Sequence, residues 1–524
     1  MADIIGKILD KAKTDSFQFV SKEPFQAKFV EVKIDHISPD AKIIGEITEK
    51  ESINPYFERP ADIRYVKAED EGVSARSLYV SKVDILALIN NGERTEVSFP
   101  PLPGSNVFEA EESNVKIALS LGESGIDIGH LKGYNNLAFK IPYQQSLRTH
   151  ISVLGQTGSG KSYLGAKLAI ELLKLRRSAN MPSEIAIPII FDSSGEYSSS
   201  DDMSSQGQLS LIMPIINSAE HYFPLLDKKY LPLLYDIYDV DERQESELQK
   251  WFNPISDIDS PSQTKENRQL ELVKQPTAAL LINEFGRLRL NSTKQLANSL
   301  EEYLKKYNHL KNVENISIPY KVLSKMRRMN LKIRKTLDLS IIDQLSRGLI
   351  VNLSKYENYE ERQIAMLLFL RQFYELARDK KLPSRVVLFI DEAHNYVPSV
   401  YKSYCKDEIL KIAREGRKYG IALCLISQRP RWVDPTALSQ CGNIFIFRIQ
   451  NSEDKKHIFD SASLPDTVRN INIAKFKTGE MIVTGDVVEH AMHCIVSKID
   501  ENFISTEGER SKGKYMKEMK KILE

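Results

Sequence analysis

Residues 155–162 read Gly-Gln-Thr-Gly-Ser-Gly-Lys-Ser, a match to G-x-x-x-x-G-K-[ST], and they lie between the apolar run HISVLG and the helical pattern YLGAKLAIELLKLRR. An apolar strand before and a helix after are the context in which this motif works as a phosphate-binding loop. Its glycines, Gly155, Gly158 and Gly160, let backbone N–H groups close around phosphates, and the helix N-terminus that follows adds a favourable dipole. Lys161 neutralises the β- and γ-phosphates, and Ser162 supplies a hydroxyl to Mg²⁺. Gln156, Thr157, Ser159 and Tyr163 complete the stretch expected to touch nucleotide. A loop of this kind commits the surrounding chain to an α/β sheet.

The neighbouring sequence has that texture. Continuous apolar segments recur at EIAIPIIFD, RGLIVNLS, RVVLFIDEA, GIALCLISQ and NIFIFRI, alternating with helical patterns. Strands buried on both faces and separated by helices indicate an open parallel sheet. Ahead of it, from Ala27 to about Leu121, short alternating segments such as AKFVEVKI and VKIALSL predict a small β-barrel or sandwich. SFPPLPGSNVFEAEES reads as a loop, and residues 122–140 as a Gly-rich connection. Between about Ser198 and Leu345 helical patterns such as TKQLANSLEEYLKKY take over. The resulting division is residues 1–140 for the β-domain and linker, 141–200 and 346–500 for the ATPase core, 201–345 for a helical insertion, and 501–524 for a basic tail.

A phosphate loop needs a carboxylate at a neighbouring strand end for the metal, and a polar group to orient the attacking water. VVLFIDEAHN supplies both: Asp391 follows five apolar residues as the Mg²⁺ partner, and Glu392 polarises water. Two adjacent carboxylates at a strand end can also merely cap the next helix. Gln428 ends the next apolar strand, where a polar group is placed to sense the γ-phosphate or its water. Arg414, Arg417 and Lys418 cluster before that strand, and spacing alone leaves Arg417 either a functional group or a solvated helix residue.

Bulk properties narrow the setting. The chain has 524 residues, enough for two or three domains, and 72 Lys plus Arg balance 71 Asp plus Glu, so any nucleic-acid contact must be a local patch. Cys405, Cys424, Cys441 and Cys494 show no metal or redox spacing and read as reduced core thiols. No apolar run is long enough for a signal peptide or a membrane span, which predicts a cytoplasmic protein with no membrane partner.

Taken in order, GQTGSGKS, FDSSGEY, LFIDEAH, EGRKYGIALCLISQRP and KTGEMIVTG resemble the HerA family of the HerA/FtsK ATPases, and the β-rich N-terminus resembles that family's barrel. The resemblance covers nearly the whole chain except the helical insertion and the tail. It implies a RecA-like core, ATP and Mg²⁺ as cofactors, and a homohexameric ring with ATP at subunit interfaces, where Arg417 is an arginine finger reaching a neighbour's γ-phosphate. Arg148 is either a second interfacial arginine or an ordinary surface one. Asp192 and Glu196 either face the metal or cap the turn around Gly195. The tail either straps onto the adjacent subunit or is solvated. The run 321–335, with seven Lys and Arg and no acidic residue, either contacts double-stranded DNA or is a solvated helix face. The implied activity is ATP-driven movement along duplex DNA beside an effector such as a nuclease or a sirtuin-type NADase, in DNA-end processing or antiphage defence. The alternative is an ATPase scaffold that assembles and gates such an effector without obligatory translocation.

Overall fold

The computed structural model describes residues 3–53, 77–143, 149–179, 185–198, 209–217 and 348–505, apart from a few positions inside those spans, with isolated residues between 294 and 324. Arg148, nearly all of 321–335, most of the expected helical insertion and the tail from 506 onward lie outside the described residues.

The N-terminal strands are β1 (Ile4–Ala12), β2 (Ser16–Ser21), β3 (Phe29–Lys33), β4 (Lys42–Ile53), β5 (Leu78–Asn90), β6 (Glu93–Thr95) and β7 (Asn106–Glu109). They pair in the order β2-β1-β7-β3-β4-β5, and β5 pairs back onto β2, so six strands close into a barrel while β6 hangs on β5. Period-two alternation drives the closure: Phe17 and Phe19 are buried while Gln18 is exposed, and Val30, Val32, Ile43 and Val83 fill the interior with them. A short helix, α1 (Glu112–Ala118), follows the last barrel strand.

Two segments depart from the sequence expectation here. The barrel begins at Ile4 rather than Ala27, since β1 buries only Ile8 along its length and carries charges elsewhere, so its alternation is invisible. SFPPLPGSNVFEAEES is not all loop either. Its residues Asn106–Glu109 form β7, which pairs with both β1 and β3 although Val107 alone is fully buried.

Along the rest of the chain come β8 (Ile126–Leu131), β9 (Tyr134–Ile141), β10 (Ile151–Leu154), α2 (Lys161–Ser178), β11 (Ile187–Asp192), β12 (Ile215–Asn217) and β13 (Leu349–Asn352). Then follow α3 (Tyr359–Arg378), β14 (Val386–Ile390), α4 (Lys406–Glu415), β15 (Ile421–Ser427), α5 (Pro435–Ser439), β16 (Asn443–Ile446), α6 (Ser452–Ser461), β17 (Glu480–Gly485) and β18 (Met492–Val496). The chain forms two compact units whose sequences interleave. One comprises Met1–Thr149, Val153–Leu164 and Gly442–Lys498; the other comprises His150–Ser152, Gly165–Cys441 and Ile499–Glu524.

The first unit holds the barrel and an antiparallel run β16-β17-β18-β8-β9. The expected Gly-rich connection at 122–140 is therefore two strands. Gly129 there marks a close approach rather than flexibility, because a Cβ on it would lie 1.9 Å from the Ile495 carbonyl oxygen.

In the second unit β12-β13-β11-β14-β15 form a parallel sheet. Every residue of β11, β14 and β15 is buried, which is what their unbroken apolar sequences require of strands covered on both faces. The strand β12 lies inside the span read as helical insertion; Pro214 just before it and its three-residue length hid it. On α4, Ile409, Ile412 and Ala413 face the interior while Lys411 and Arg414 are exposed, a 3-4 stripe that seats this helix on the sheet. Gly165 of α2 leaves room for Ile426 and the Tyr197 hydroxyl, which a Cβ would meet at 2.7 and 3.1 Å.

Candidate functional site

The phosphate loop belongs to the first unit. It leaves β10, turns through residues 155–160 and enters α2 at Lys161. Gly158 and Gly160 sit at φ +71° and +111°, values that L side chains resist, so glycine at these two positions is a backbone requirement. At Gly155 the requirement is space: a Cβ would stand 2.6 Å from Cβ of Phe447 and 2.9 Å from Oγ of Ser159. Strand β16 and its continuation hold the loop from one side, with Phe447 N donating to the Leu154 carbonyl at 2.8 Å and Gln156 N donating to the Arg448 carbonyl at 2.9 Å. The Gln156 carbonyl in turn accepts from Lys161 Nζ at 2.9 Å and Ser159 Oγ at 2.7 Å. The Lys161 side chain is thus buried and folded back along its own loop. Ser162 and Tyr163 are half-buried in the first turn of α2, and Thr157 and Gly158 are exposed.

The carboxylates belong to the second unit. Register places Asp192 beside Asn352, Phe191 beside Ile390, and Ile390 beside Leu425, so β11, β13, β14 and β15 end together at one edge. Ligands of parallel α/β sheets bind at that carboxyl edge. Asp391 is buried there and accepts the Glu392 N–H at 2.9 Å. Burial first, then the negative charges of Glu392 and Glu196, hold its carboxyl well above the usual range.

Glu392 occupies the left-handed region, φ 52° and ψ 45°. For a residue with a Cβ that costs on the order of 1–3 kcal/mol and persists where the surroundings fix it. They do so here. Its Oε1 accepts from Gln428 Nε2 at 2.7 Å, its Oε2 lies 3.3 Å from Nδ1 of His394, and that nitrogen is 3.1 Å from the Ser427 hydroxyl. The structure therefore brings Asp391, Glu392 and Gln428 together, and adds His394 and Ser427, which sequence reasoning missed. The His of LFIDEAH was the available signal.

Asp192 is occupied otherwise. Its carboxylate accepts N–H groups of Gly195, Tyr197 and Ser198 at 2.8, 3.1 and 2.9 Å, so it caps the turn around Gly195, and burial raises its pKa despite those bonds. Glu196 is exposed, and its charge acts on Asp391.

Arg417 stands apart from this cluster. It lies on the exposed 3-10 turn Gly416–Tyr419 after α4, and among the described residues its guanidinium has no hydrogen bond or ion pair. What fixes the turn is another residue the sequence left unremarked. His150 is fully buried; its Nε2 donates to the Ala413 carbonyl at 2.8 Å and its Nδ1 accepts the Leu423 N–H at 2.9 Å. One imidazole thereby bridges the end of α4 and the start of β15, on either side of the Arg417 turn. Burial, reinforced by the Arg417 charge, lowers its pKa to about 4, so the ring is neutral.

All four cysteines are buried and unpaired, and burial raises every thiol pKa, as reduced core residues require. Among the described residues no helix is long and apolar enough to cross a membrane.

A family model described as "Helicase HerA, central domain" matches residues 126–373. The chain is 24% identical over 518 residues to a probable helicase of Methanocaldococcus jannaschii, covering 96% of this chain and 92% of that protein. It is 26% identical over 463 residues to the DNA double-strand break repair helicase HerA of Sulfolobus acidocaldarius, covering 86% and 84% respectively. Among solved structures it is similar to VirB4 of Thermoanaerobacter pseudethanolicus, with a TM-score of 0.45 and 15% identity over 72% of this chain and 98% of that one. The partial family match, the relatives aligned along most of the length, and the phosphate loop and carboxylate strand agree on an ATP-hydrolysing enzyme similar to the HerA helicases.

Proposed function

We propose that this ATP-hydrolysing enzyme works as a homohexameric ring that tracks double-stranded DNA in the cytoplasm, coupled to a partner nuclease or other effector in DNA-end processing or antiphage defence. In this reading residues 155–163 wrap the nucleotide's phosphates and Lys161 neutralises them. Mg²⁺ fits the donor chemistry. In phosphoryl-transfer sites it is carried by phosphate oxygens, water and one or two hard protein oxygens rather than by a protein cage, and Ser162 and Asp391 are of that type. Asp391, buried beside other negative charges, is a carboxylate whose ionised form a cation stabilises. When bound, the metal neutralises charge on the β- and γ-phosphate oxygens. Glu392 orients the attacking water, and Gln428 and His394 fix the carboxylate that does so.

The observation that carries the ring is the contrast between Glu392, whose Oε1 accepts from Gln428, and Arg417, exposed on a turn that His150 holds and, among the described residues, without a hydrogen bond or ion pair. An arginine on a braced turn, with no hydrogen bond or ion pair among the described residues, suits a finger for the next subunit's γ-phosphate, worth roughly 10³ to 10⁵ in rate. Both Arg417→Ala and Glu392→Gln then bind ATP and hydrolyse it far more slowly than wild type. Co-assembled, they recover part of the activity, because some mixed interfaces pair an intact Arg417 with an intact Glu392. Steady-state ATPase across mixing ratios, with co-assembly checked by native mass spectrometry, measures this. No recovery at any ratio would place Arg417 at its own subunit's site.

The duplex partner is supported by relatives named as DNA double-strand break repair helicases. Hydrolysis raised by duplex DNA alone marks a motor, whereas hydrolysis raised only by a co-purifying effector marks a scaffold.

A further inference from the structure

The motif KTGEMIVTG was singled out only for its resemblance value, and nothing above gives its first residues a task. In the fold they form the turn Lys477–Glu480, which opens β17. Two donors of this turn reach the phosphate loop: the Thr478 hydroxyl donates to the Gly158 carbonyl at 3.1 Å, and the Gly479 N–H donates to the Ser159 carbonyl at 2.9 Å. Gly479 itself sits at φ +85°, and a Cβ on Gly160 would meet its N and Cα at 3.3 and 3.4 Å. The turn and the loop therefore lie against each other along three consecutive loop residues.

The arrangement has a physical reason. A loop that aims successive N–H groups inward at an anion turns carbonyl oxygens outward, where a donor from the protein can replace water and fix the loop's curvature. Strand β16 and its continuation serve the entrance of the loop at Leu154 and Gln156, and the side chains of Lys161 and Ser159 converge on the Gln156 carbonyl. The middle of the loop, Gly158 and Ser159, receives its donors from the 477–480 turn.

That turn has its own anchors. The Gly479 carbonyl accepts from Val496 N at 3.0 Å, Glu480 N donates to the Lys477 carbonyl at 3.1 Å, and the buried Glu480 carboxylate pairs with Lys132 at 3.0 Å and lies 3.6 Å from Nε2 of His493. The donors are thus held by a fixed strand end rather than by a freely moving loop.

We propose that the Lys477–Glu480 turn is the outer wall of the nucleotide cradle and that Thr478 is a positioning residue for ATP, acting through the Gly158 carbonyl. It touches no reacting atom; its hydroxyl holds the middle of the loop in the curvature that presents N–H groups to phosphate. This rests on reading residues 155–162 as the nucleotide loop. The effect belongs to binding, since a preorganised loop lowers the ordering cost paid when phosphate enters, in ground state and transition state alike.

Thr478→Val keeps the shape and removes the hydroxyl. Steady-state ATPase should show KM raised roughly three- to tenfold, the loss of one modest hydrogen bond, with kcat within about twofold of wild type. The dissociation constant of a non-hydrolysable ATP analogue should rise in parallel. Thr478→Ser, which restores the hydroxyl, should return both values to wild type. Unchanged KM and analogue affinity in Thr478→Val overturn the proposal, as does a fall in kcat at constant KM, or a Ser variant that behaves like Val. Lys161→Ala measured alongside separates the two levels: if it binds the analogue as wild type does, the loop reading itself fails. If Lys161→Ala loses binding while Thr478→Val does not, only the wall fails.

Discussion

At the scale of single residues, the candidate chemistry rests on groups held in states they would not choose in water. Asp391 is the plainest case, since burial and the neighbouring charges of Glu392 and Glu196 oppose its ionisation. A carboxyl whose folded pKa lies above its unfolded value of about 3.9 binds more protons in the folded state, so it costs the fold stability as pH rises through that interval. Asp391→Asn removes that cost and still offers an oxygen to the Glu392 N–H. The nucleotide-free variant should melt several degrees higher than wild type at neutral pH, with the gap closing toward acid, while its ATPase falls to background. Calorimetry across pH reads the first and phosphate release the second; an Asn variant less stable at neutral pH would contradict the charge argument. Glu392 reaches the same end through its backbone, in a left-handed conformation normally left to glycine. Selection for stability alone would favour Gly at 392, which makes the retained carboxylate informative.

At the scale of elements, His150 works as a strap across the Arg417 turn, and its stabilisation is pH-dependent. Its pKa falls from about 6.5 unfolded to about 4 folded. The unfolded chain therefore takes up the proton first: the contribution is whole above pH 6.5 and is lost as pH drops toward 4. Up to roughly 3 kcal/mol is at stake. His150→Gln cannot titrate, so its urea midpoint should decline less between those pH values than that of wild type; parallel curves would remove the strap. His493, lowered to about 4 chiefly by burial, titrates in the same window in both proteins and leaves their difference intact.

The same elements show what the sequence made legible. The phosphate loop and the strands β11, β13, β14, β15 and β16 could be read directly, because burial on both faces writes an unbroken apolar run and the loop's chemistry tolerates few residues. Gln428 and Glu392 were identified one by one, but their 2.7 Å bond needed coordinates. His150, Thr478 and the pair β8 and β9 were illegible for a common reason. Each acts through backbone groups, as a donor to a carbonyl, an acceptor from an N–H or a Gly129 that must lack a Cβ, and such contacts impose no periodicity on the sequence. β1 and β7 hid because single buried residues, Ile8 and Val107, cannot display a period at all.

At the scale of the whole molecule, nearly equal numbers of basic and acidic residues mean that attraction to a polyanion has to be local, and salt should reveal it. If the protein tracks duplex phosphates as proposed, its ATPase rises with duplex DNA of any sequence. Its DNA affinity then falls by about 10³ or more between 50 and 200 mM salt for six or more phosphates neutralised. Fluorescence anisotropy with two unrelated duplexes at several salt concentrations tests both statements. A flat salt response, or preference for one sequence, would argue against backbone tracking. The closed barrel bears on the same question from another side. An open sheet of seven strands ends in two bare edges, each a template on which another copy's strand can dock, and crowding copies around one axis would raise that hazard steeply. Because β5 closes on β2, the one sheet edge left open among the described residues of this domain is the three-residue β6, too short to seed a second strand. The topology that shapes the N-terminal domain also guards it against runaway aggregation when many copies are held close together.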